Sequence, residues 1–122
     1  MKTILLVDDE FDMRTVFEMV FALEGYEVLC AADGEEALQK IAERKPDIIL
    51  TDWMMPFMDG PELCRRVRAS PDTKNIPIIL LTAAPRELPS TNKLWDAMLT
   101  KPAKIDALLA LAKDLISKQK SP

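Results

Sequence analysis

Residues 47–61 read Asp-Ile-Ile-Leu-Thr-Asp-Trp-Met-Met-Pro-Phe-Met-Asp-Gly-Pro, and this stretch decides the fold. Ile48–Thr51 is short, apolar and rich in β-branched residues, the pattern of a strand buried on both faces. It ends on a carboxylate, Asp52, and a loop follows from Trp53 to Gly60. Pro61 then suits the first turn of a helix that carries Leu63, Cys64 and Val67. A buried strand, a loop and an amphipathic helix form half of a βαβ unit.

Outward from there the pattern repeats. Thr3–Val7 is a strand stopped by Asp8-Asp9-Glu10. A helix from Asp12 to Glu24 sets Met13, Val16, Phe17, Val20 and Leu23 on one face, and Gly25 stops it. Glu27–Ala31 is a second strand. Asp33-Gly34 opens a helix with Ala37, Leu38, Ile41 and Ala42 inward, closing before Pro46. Ile78–Thr82 is a fourth strand and Ala97–Thr100 a short fifth. In the last helix Ile105, Leu108, Leu109, Ala112, Leu115 and Ile116 make one apolar face, with Lys113 and Lys118 towards its carboxyl end. Apolar strands alternating with helices predict a parallel sheet covered on both faces. The chain is expected to be one domain over residues 1–122, with 118–122 as a frayed tail.

Composition narrows the chemistry. Of 122 residues, 48% are hydrophobic and 30% charged, which is globular, and the net charge of −4 argues against nucleic acid as a direct partner. Neither a secretory leader nor a membrane span is visible, which points to a cytoplasmic protein. Cys30 and Cys64 match no metal spacing and read as small core residues. The chain has no histidine, which excludes histidine-based nucleophile systems. Arg65, Arg66 and Arg68 read as a solvated helix face. Met54, Met55 and Met58 read as irregular packing. Trp53 either flanks a pocket mouth or packs in its loop, and Trp95 anchors the fourth helix or its remnant.

In such sheets, ligands bind at the carboxyl ends of the strands. Those ends carry Asp8-Asp9, Asp52, Thr82 and Lys101-Pro102. Like charges ~4 Å apart repel by about 4 kcal/mol at an effective dielectric near 20. Three carboxylates brought together must therefore protonate, pair with a base or hold a cation. Oxygen ligands without His or Cys suit Mg²⁺ or Mn²⁺.

Leu5-Leu6-Val7-Asp8-Asp9-Glu10 resembles the opening of response-regulator receiver domains. Residues 47–56 with Met58-Asp59-Gly60 resemble their phosphoacceptor strand and loop; Pro77–Ala83 and Lys101-Pro102 resemble their two other signatures. The match is close over 3–84, lapses through 85–99 and resumes at 100–116. The resemblance implies a flavodoxin-like, doubly wound, five-stranded parallel sheet of order 2-1-3-4-5. It also implies Asp52 as the phosphoacceptor, and Asp9, Asp52 and the Met54 carbonyl as ligands of Mg²⁺ or Mn²⁺. Asp8 would act through a metal-bound water, Lys101 would pair with phosphoryl oxygens, and Thr82 would donate its hydroxyl to one. The Lys101-Pro102 peptide would be cis. A histidine kinase or histidine phosphotransfer protein would supply the phosphoryl group and a downstream protein would read it. The domain would be a monomer or weak dimer, and no enzyme beyond its own phosphorylation and dephosphorylation.

Two features depart from the family. Lys101 follows Thr82 by 19 residues, a shorter span than receivers commonly have, with Pro85 and Pro89 inside it. Three residues before Lys101, where receivers often carry an aromatic or His, stands Met98. A shortened or irregular fourth helix is expected, with 84–96 short or mobile. Three other readings weigh less. A haloacid-dehalogenase-type phosphatase wants a second carboxylate where Met54 stands. A flavin carrier wants a phosphate loop where Asp8-Asp9-Glu10 stands. A receiver-shaped module that is never phosphorylated would not need Asp, Thr and Lys at every position.

Overall fold

The computed structural model describes residues 1–83 and 94–119. Its elements run β1 (Thr3–Val7), α1 (Phe11–Leu23), β2 (Glu27–Ala31), α2 (Gly34–Glu43), β3 (Ile48–Asp52), α3 (Gly60–Ala69), β4 (Ile78–Thr82), β5 (Ala97–Thr100) and α4 (Ile105–Lys118). The five strands form one sheet in the order β2-β1-β3-β4-β5. Every pairing is parallel.

Alternation along the strands splits the core in two. Leu5, Val7, Ile49, Ile78 and Leu80 meet Ala37 and Ile41 of α2 and Leu63, Cys64 and Val67 of α3. Ile4, Leu6, Ile48, Leu50, Ile79 and Leu81 meet Phe17 and Phe21 of α1 and Leu108 and Ala112 of α4. Each fully buried side chain of this size contributes about 1.5–3 kcal/mol. The three central strands are buried throughout, whereas β2 and β5, at the sheet edges, are mostly half-buried.

Local chemistry sets the helix starts that flank the site. Asp33 caps α2 by accepting the Glu36 amide at 2.8 Å, and Asp59 caps α3 by accepting the Glu62 amide at 2.9 Å. Each cap is worth about 1 kcal/mol. Gly60 is required by close approach: a Cβ there would lie 2.5 Å from the Asp52 carbonyl oxygen and 2.7 Å from Leu80.

Several sequence expectations need correction. On α1, Val16 and Leu23 are exposed and the buried residues are Phe17 and Phe21. The helix is rotated so that an i, i+4 pair faces the sheet. Cys30 is only half-buried. Lys118, read both as near the end of the last helix and as the start of the tail, is the last residue of α4 and pairs with Asp114 at 3.0 Å. Arg68 is not solvated with its neighbours. Its guanidinium donates to the carbonyls of Ile76 at 2.6 Å, Lys74 at 2.9 Å and Leu94 at 3.1 Å, and to Asp96 at 3.0 Å. Residues 94–96, expected within a short or mobile segment, are tied down by those bonds. The remainder of that expectation, including the fourth helix, falls on 84–93, outside the described residues. The Lys101-Pro102 peptide is cis. Among the described residues no helix is long and apolar enough to cross a membrane.

Candidate functional site

Parallel strands of matched register bring their carboxyl ends to one edge. Val7, the last residue of β1, lies beside Ala31 and Thr51, so Asp8 emerges next to Asp52 at the end of β3. Asp52 pairs in register with Leu81, and Thr82 with Thr100, which places Lys101 just past the end of β5. The sheet thereby collects residues far apart in sequence.

One oxygen each of Asp8, Asp9 and Asp52 lies within 4.8 Å of the others. Asp8 and Asp52 are buried, at 4% and 7% exposure, whereas Asp9 is exposed. The Lys101 ammonium is 3.0 Å from Asp52 Oδ1 and 3.9 Å from Asp8 Oδ2. The Trp53 amide donates to the same Asp52 oxygen at 3.0 Å, and the Glu10 amide donates to Asp8 Oδ1 at 2.9 Å.

These groups do not balance. Burial, the largest influence, raises the Asp8 carboxyl above its ordinary value; the Glu10 amide and Lys101 pull it down, and the Asp52 charge pushes it up. Asp52 is likewise raised by burial, against the pull of its bond to Lys101 and with a push from Asp9. For Lys101, burial acts downward, but the bond to Asp52 and the charges of Asp52 and Asp8 leave it raised. One ammonium, paired with Asp52 and Asp8 in a cluster of three carboxylates, leaves negative charge over. The donor set, all hard oxygen with no imidazole or thiolate, fits a divalent cation such as Mg²⁺.

Backbone contacts fix the surrounding loops. The Asp8 amide donates to Ala31 O at 3.1 Å, and Arg14 of α1 donates to the Asp8 carbonyl at 2.6 Å. The Trp53 amide also donates to Leu81 O at 2.8 Å, while its carbonyl accepts from the Gly60 amide at 2.8 Å. The Lys101 amide donates to the Thr82 carbonyl at 2.7 Å, holding β5 against β4 at the site. Thr82 is buried at the end of β4, and Met54 stands in the loop after Asp52 with an exposed side chain.

The residues singled out from sequence at the strand ends are thus gathered on one edge, with Asp8, Asp9, Asp52 and Lys101 in one cluster. Sequence reasoning missed Arg14, noted Gly60 only within a loop signature and misread Arg68 as solvated. Arg14 bonds a carbonyl six residues back and Gly60 is needed for what it lacks, so neither announces itself by residue type. Trp53 does not stand alone: its ring meets Trp95 edge-on, with centroids 5.3 Å apart and an interplanar angle of 69°.

Comparison with known proteins identifies the family. The family model for the response regulator receiver domain matches residues 4–113. The phosphate regulon transcriptional regulatory protein PhoB of Pseudomonas aeruginosa is 40% identical over 121 residues, and that of Rhizobium meliloti 36% over 120. Those alignments cover 94% and 96% of this chain but 52% and 53% of the relatives, so the chain spans about half the length of the curated relatives it matches. Among solved structures, the receiver domain of a signal transduction histidine kinase from Syntrophus aciditrophicus superimposes with a TM-score of 0.88 at 32% identity, covering 99% of this chain and 96% of that one. The receiver domain of a Pseudomonas aeruginosa sensor histidine kinase, with a magnesium ion coordinated in its active site cleft, gives 0.85 at 32% identity, covering 96% and 98%. Chemotaxis protein CheY4 of Vibrio cholerae gives 0.85 at 32%, covering 94% and 98%. With a family match over residues 4–113 and a solved receiver domain covered over 96% of its length, this chain belongs to the response regulator receiver domain family.

Proposed function

We propose that this receiver domain accepts a phosphoryl group on Asp52 and thereby alters the surface it offers to a partner protein. The observation that carries the reading is the Lys101 ammonium 3.0 Å from Asp52 Oδ1, inside a cluster that holds two further carboxylates. A buried carboxylate is a competent nucleophile once its charge and that of the incoming phosphoryl group are offset.

In the proposed step, an Asp52 oxygen attacks phosphorus. The bond from phosphorus to the donor atom breaks, and the donor leaves with the electron pair. Lys101 neutralises phosphoryl oxygens and the Thr82 hydroxyl donates to one of them. Asp9, Asp52 and the Met54 carbonyl would hold a divalent cation, with Asp8 reaching it through water. The cation, Mg²⁺ or Mn²⁺, would supply the remaining positive charge. The donor is a histidine kinase or a histidine phosphotransfer protein in the cytoplasm, and the reader is another protein. The domain catalyses no reaction beyond its own phosphorylation and dephosphorylation.

Incubation with acetyl phosphate and Mg²⁺, followed by intact mass, tests the reading. One phosphoryl group should be gained by the wild type and none by Asp52→Asn. Equal labelling of the two would overturn the assignment, and no labelling of either would favour a module that is never phosphorylated.

A further inference from the structure

The Trp53–Trp95 pair has no role in the reading given above, and it lies where the site meets the entry to β5. Trp53 sits directly against the acceptor: its amide is shared between Leu81 O at 2.8 Å and Asp52 Oδ1 at 3.0 Å. Its ring packs on Trp95 at 5.3 Å, and both rings lie against the core layer under α2 and α3.

Trp95 is itself held from the far side. Arg68 bonds the carbonyl of Leu94 and the carboxylate of Asp96, the residues on either side of it. The Asp96 carboxylate also accepts the Ile78 amide at 2.8 Å, and the Asp96 amide donates to Ile78 O at 2.9 Å. Residues 94–96 are therefore fixed to α3 and to the start of β4. From there the chain runs through β5 to Lys101, whose ammonium returns to Asp52. Two contacts with the acceptor, Trp95 through Trp53 and Lys101 directly, grip the two ends of the segment 95–101.

We propose that Trp95 is the residue through which loading of Asp52 is felt at the entry to β5. The physical reason lies in the shared amide. Converting the carboxylate to an acyl phosphate takes charge off the oxygen that the Trp53 amide faces and moves it outward onto the phosphoryl group. The amide then loses part of its hold on Asp52, while Lys101 is drawn towards the new oxygens. Trp53 cannot shift without moving against Trp95, because aromatic edge contacts are specific in geometry and worth about 0.5–1.5 kcal/mol beyond their burial. Arg68 keeps the backbone of 94–96 in place, so the adjustment falls on the Trp95 side chain and on β5. Met98, packed on the same core layer, is flexible enough to follow. An aromatic lever thus stands six residues before Lys101, in place of one three residues before it.

This inference rests on Asp52 being the acceptor, and the test separates the two. Amide hydrogen exchange over 94–101 is measured with and without beryllofluoride and Mg²⁺ in the wild type, in Trp53→Leu, in Trp95→Leu, in the double variant and in Trp95→Phe. In the wild type, beryllofluoride should slow exchange there by about fivefold, the lower range of measured couplings between sites. Either Leu substitution should abolish most of that slowing, the double variant should lose no more than either single one, and Trp95→Phe should retain it. A pair acting as one unit is non-additive in this way. Slowing in Trp95→Leu equal to that of the wild type overturns the proposal, as do additive losses in the double variant. Should a Leu variant fail to fold, Trp95→Phe against the wild type still decides, since loss of the response with a second ring present would overturn it. If beryllofluoride fails to stabilise even the wild type against heat, the acceptor assignment fails instead.

Discussion

Two charged clusters lie near opposite ends of α3, and they are built on opposite terms. At the carboxyl ends of β1 and β3, three carboxylates gather beside one ammonium that pairs with two of them, and burial raises Asp8 and Asp52 above their ordinary values. At the far end of α3, Arg68 meets three carbonyls and a carboxylate, which accounts for most of the five donors of a guanidinium. The Arg68 cluster is satisfied and needs nothing further. The acid cluster is left with excess negative charge that a cation would offset. One arrangement holds the fold, and the other stores an unmet requirement that a ligand answers.

The comparison breaks most visibly at Arg68. Arg68→Ala strands the carbonyls of Lys74, Ile76 and Leu94 and frees Asp96, and it should cost about 2–3 kcal/mol in denaturant unfolding, in the range for half-buried hydrogen bonds to a charged group. Arg65→Ala and Arg66→Ala remove only exposed pairs with Glu62 and should each cost under about 0.5 kcal/mol. Equal losses at all three arginines would erase the distinction.

Gly60→Ala should come next, at about 1–3 kcal/mol, because its Cβ would meet the backbone of Asp52. Gly34→Ala should also destabilise the domain, since its Cβ would lie 2.9 Å from the Cβ and Cγ of Met58 and 2.6 Å from its sulfur, but it leaves Asp52 untouched. The Gly60 variant should also accept phosphoryl from acetyl phosphate more slowly, because the atom displaced is on the acceptor residue.

Phe57 sharpens the contrast at smaller amplitude. It is the one described residue other than glycine with positive φ, at 69°, and its ring is 97% exposed. Phe57→Gly removes the left-handed strain at some cost in chain entropy and should stabilise the domain by about 0.5–1 kcal/mol.

The pH dependence follows from the raised carboxyls. Without divalent metal, Asp8 and Asp52 give up their protons less readily in the fold than in the unfolded chain. The unfolded state therefore binds fewer protons, so their contribution is full below the unfolded values, about pH 4, and is lost as pH rises through the folded ones. Raised Lys101 contributes in the same sense only at far higher pH. Unfolding followed in EDTA should show this loss across the acidic range in the wild type, and it should be reduced in Asp8→Asn.

Legibility in the sequence followed the same divide. Asp8, Asp9, Asp52, Thr82 and Lys101 could be read because each ends an apolar strand, and parallel register carries strand ends to one edge. Arg68 could not: beside Arg65 and Arg66 it looks like a third surface cation, and most of its partners are backbone carbonyls that any residue supplies. On α1, Val16 and Leu23 fit the helical period as well as Phe17 does. Periodicity cannot tell which apolar stripe the sheet will cover, so Phe21 went unread. The Trp53–Trp95 contact joins two loops distant in sequence, and no spacing rule connects them.

The most direct test of the central claim compares Asp8→Asn/Asp9→Asn with the wild type in denaturant unfolding, in EDTA and in saturating Mg²⁺. Asparagine at position 8 can still accept the Glu10 amide, so the substitution removes charge and little else. In EDTA the double variant should be more stable than the wild type by an amount on the order of 1 kcal/mol after screening. Mg²⁺ should stabilise the wild type through binding to the folded state and leave the double variant nearly unchanged. A double variant less stable than the wild type in EDTA, or an equal Mg²⁺ response in both, would contradict the account.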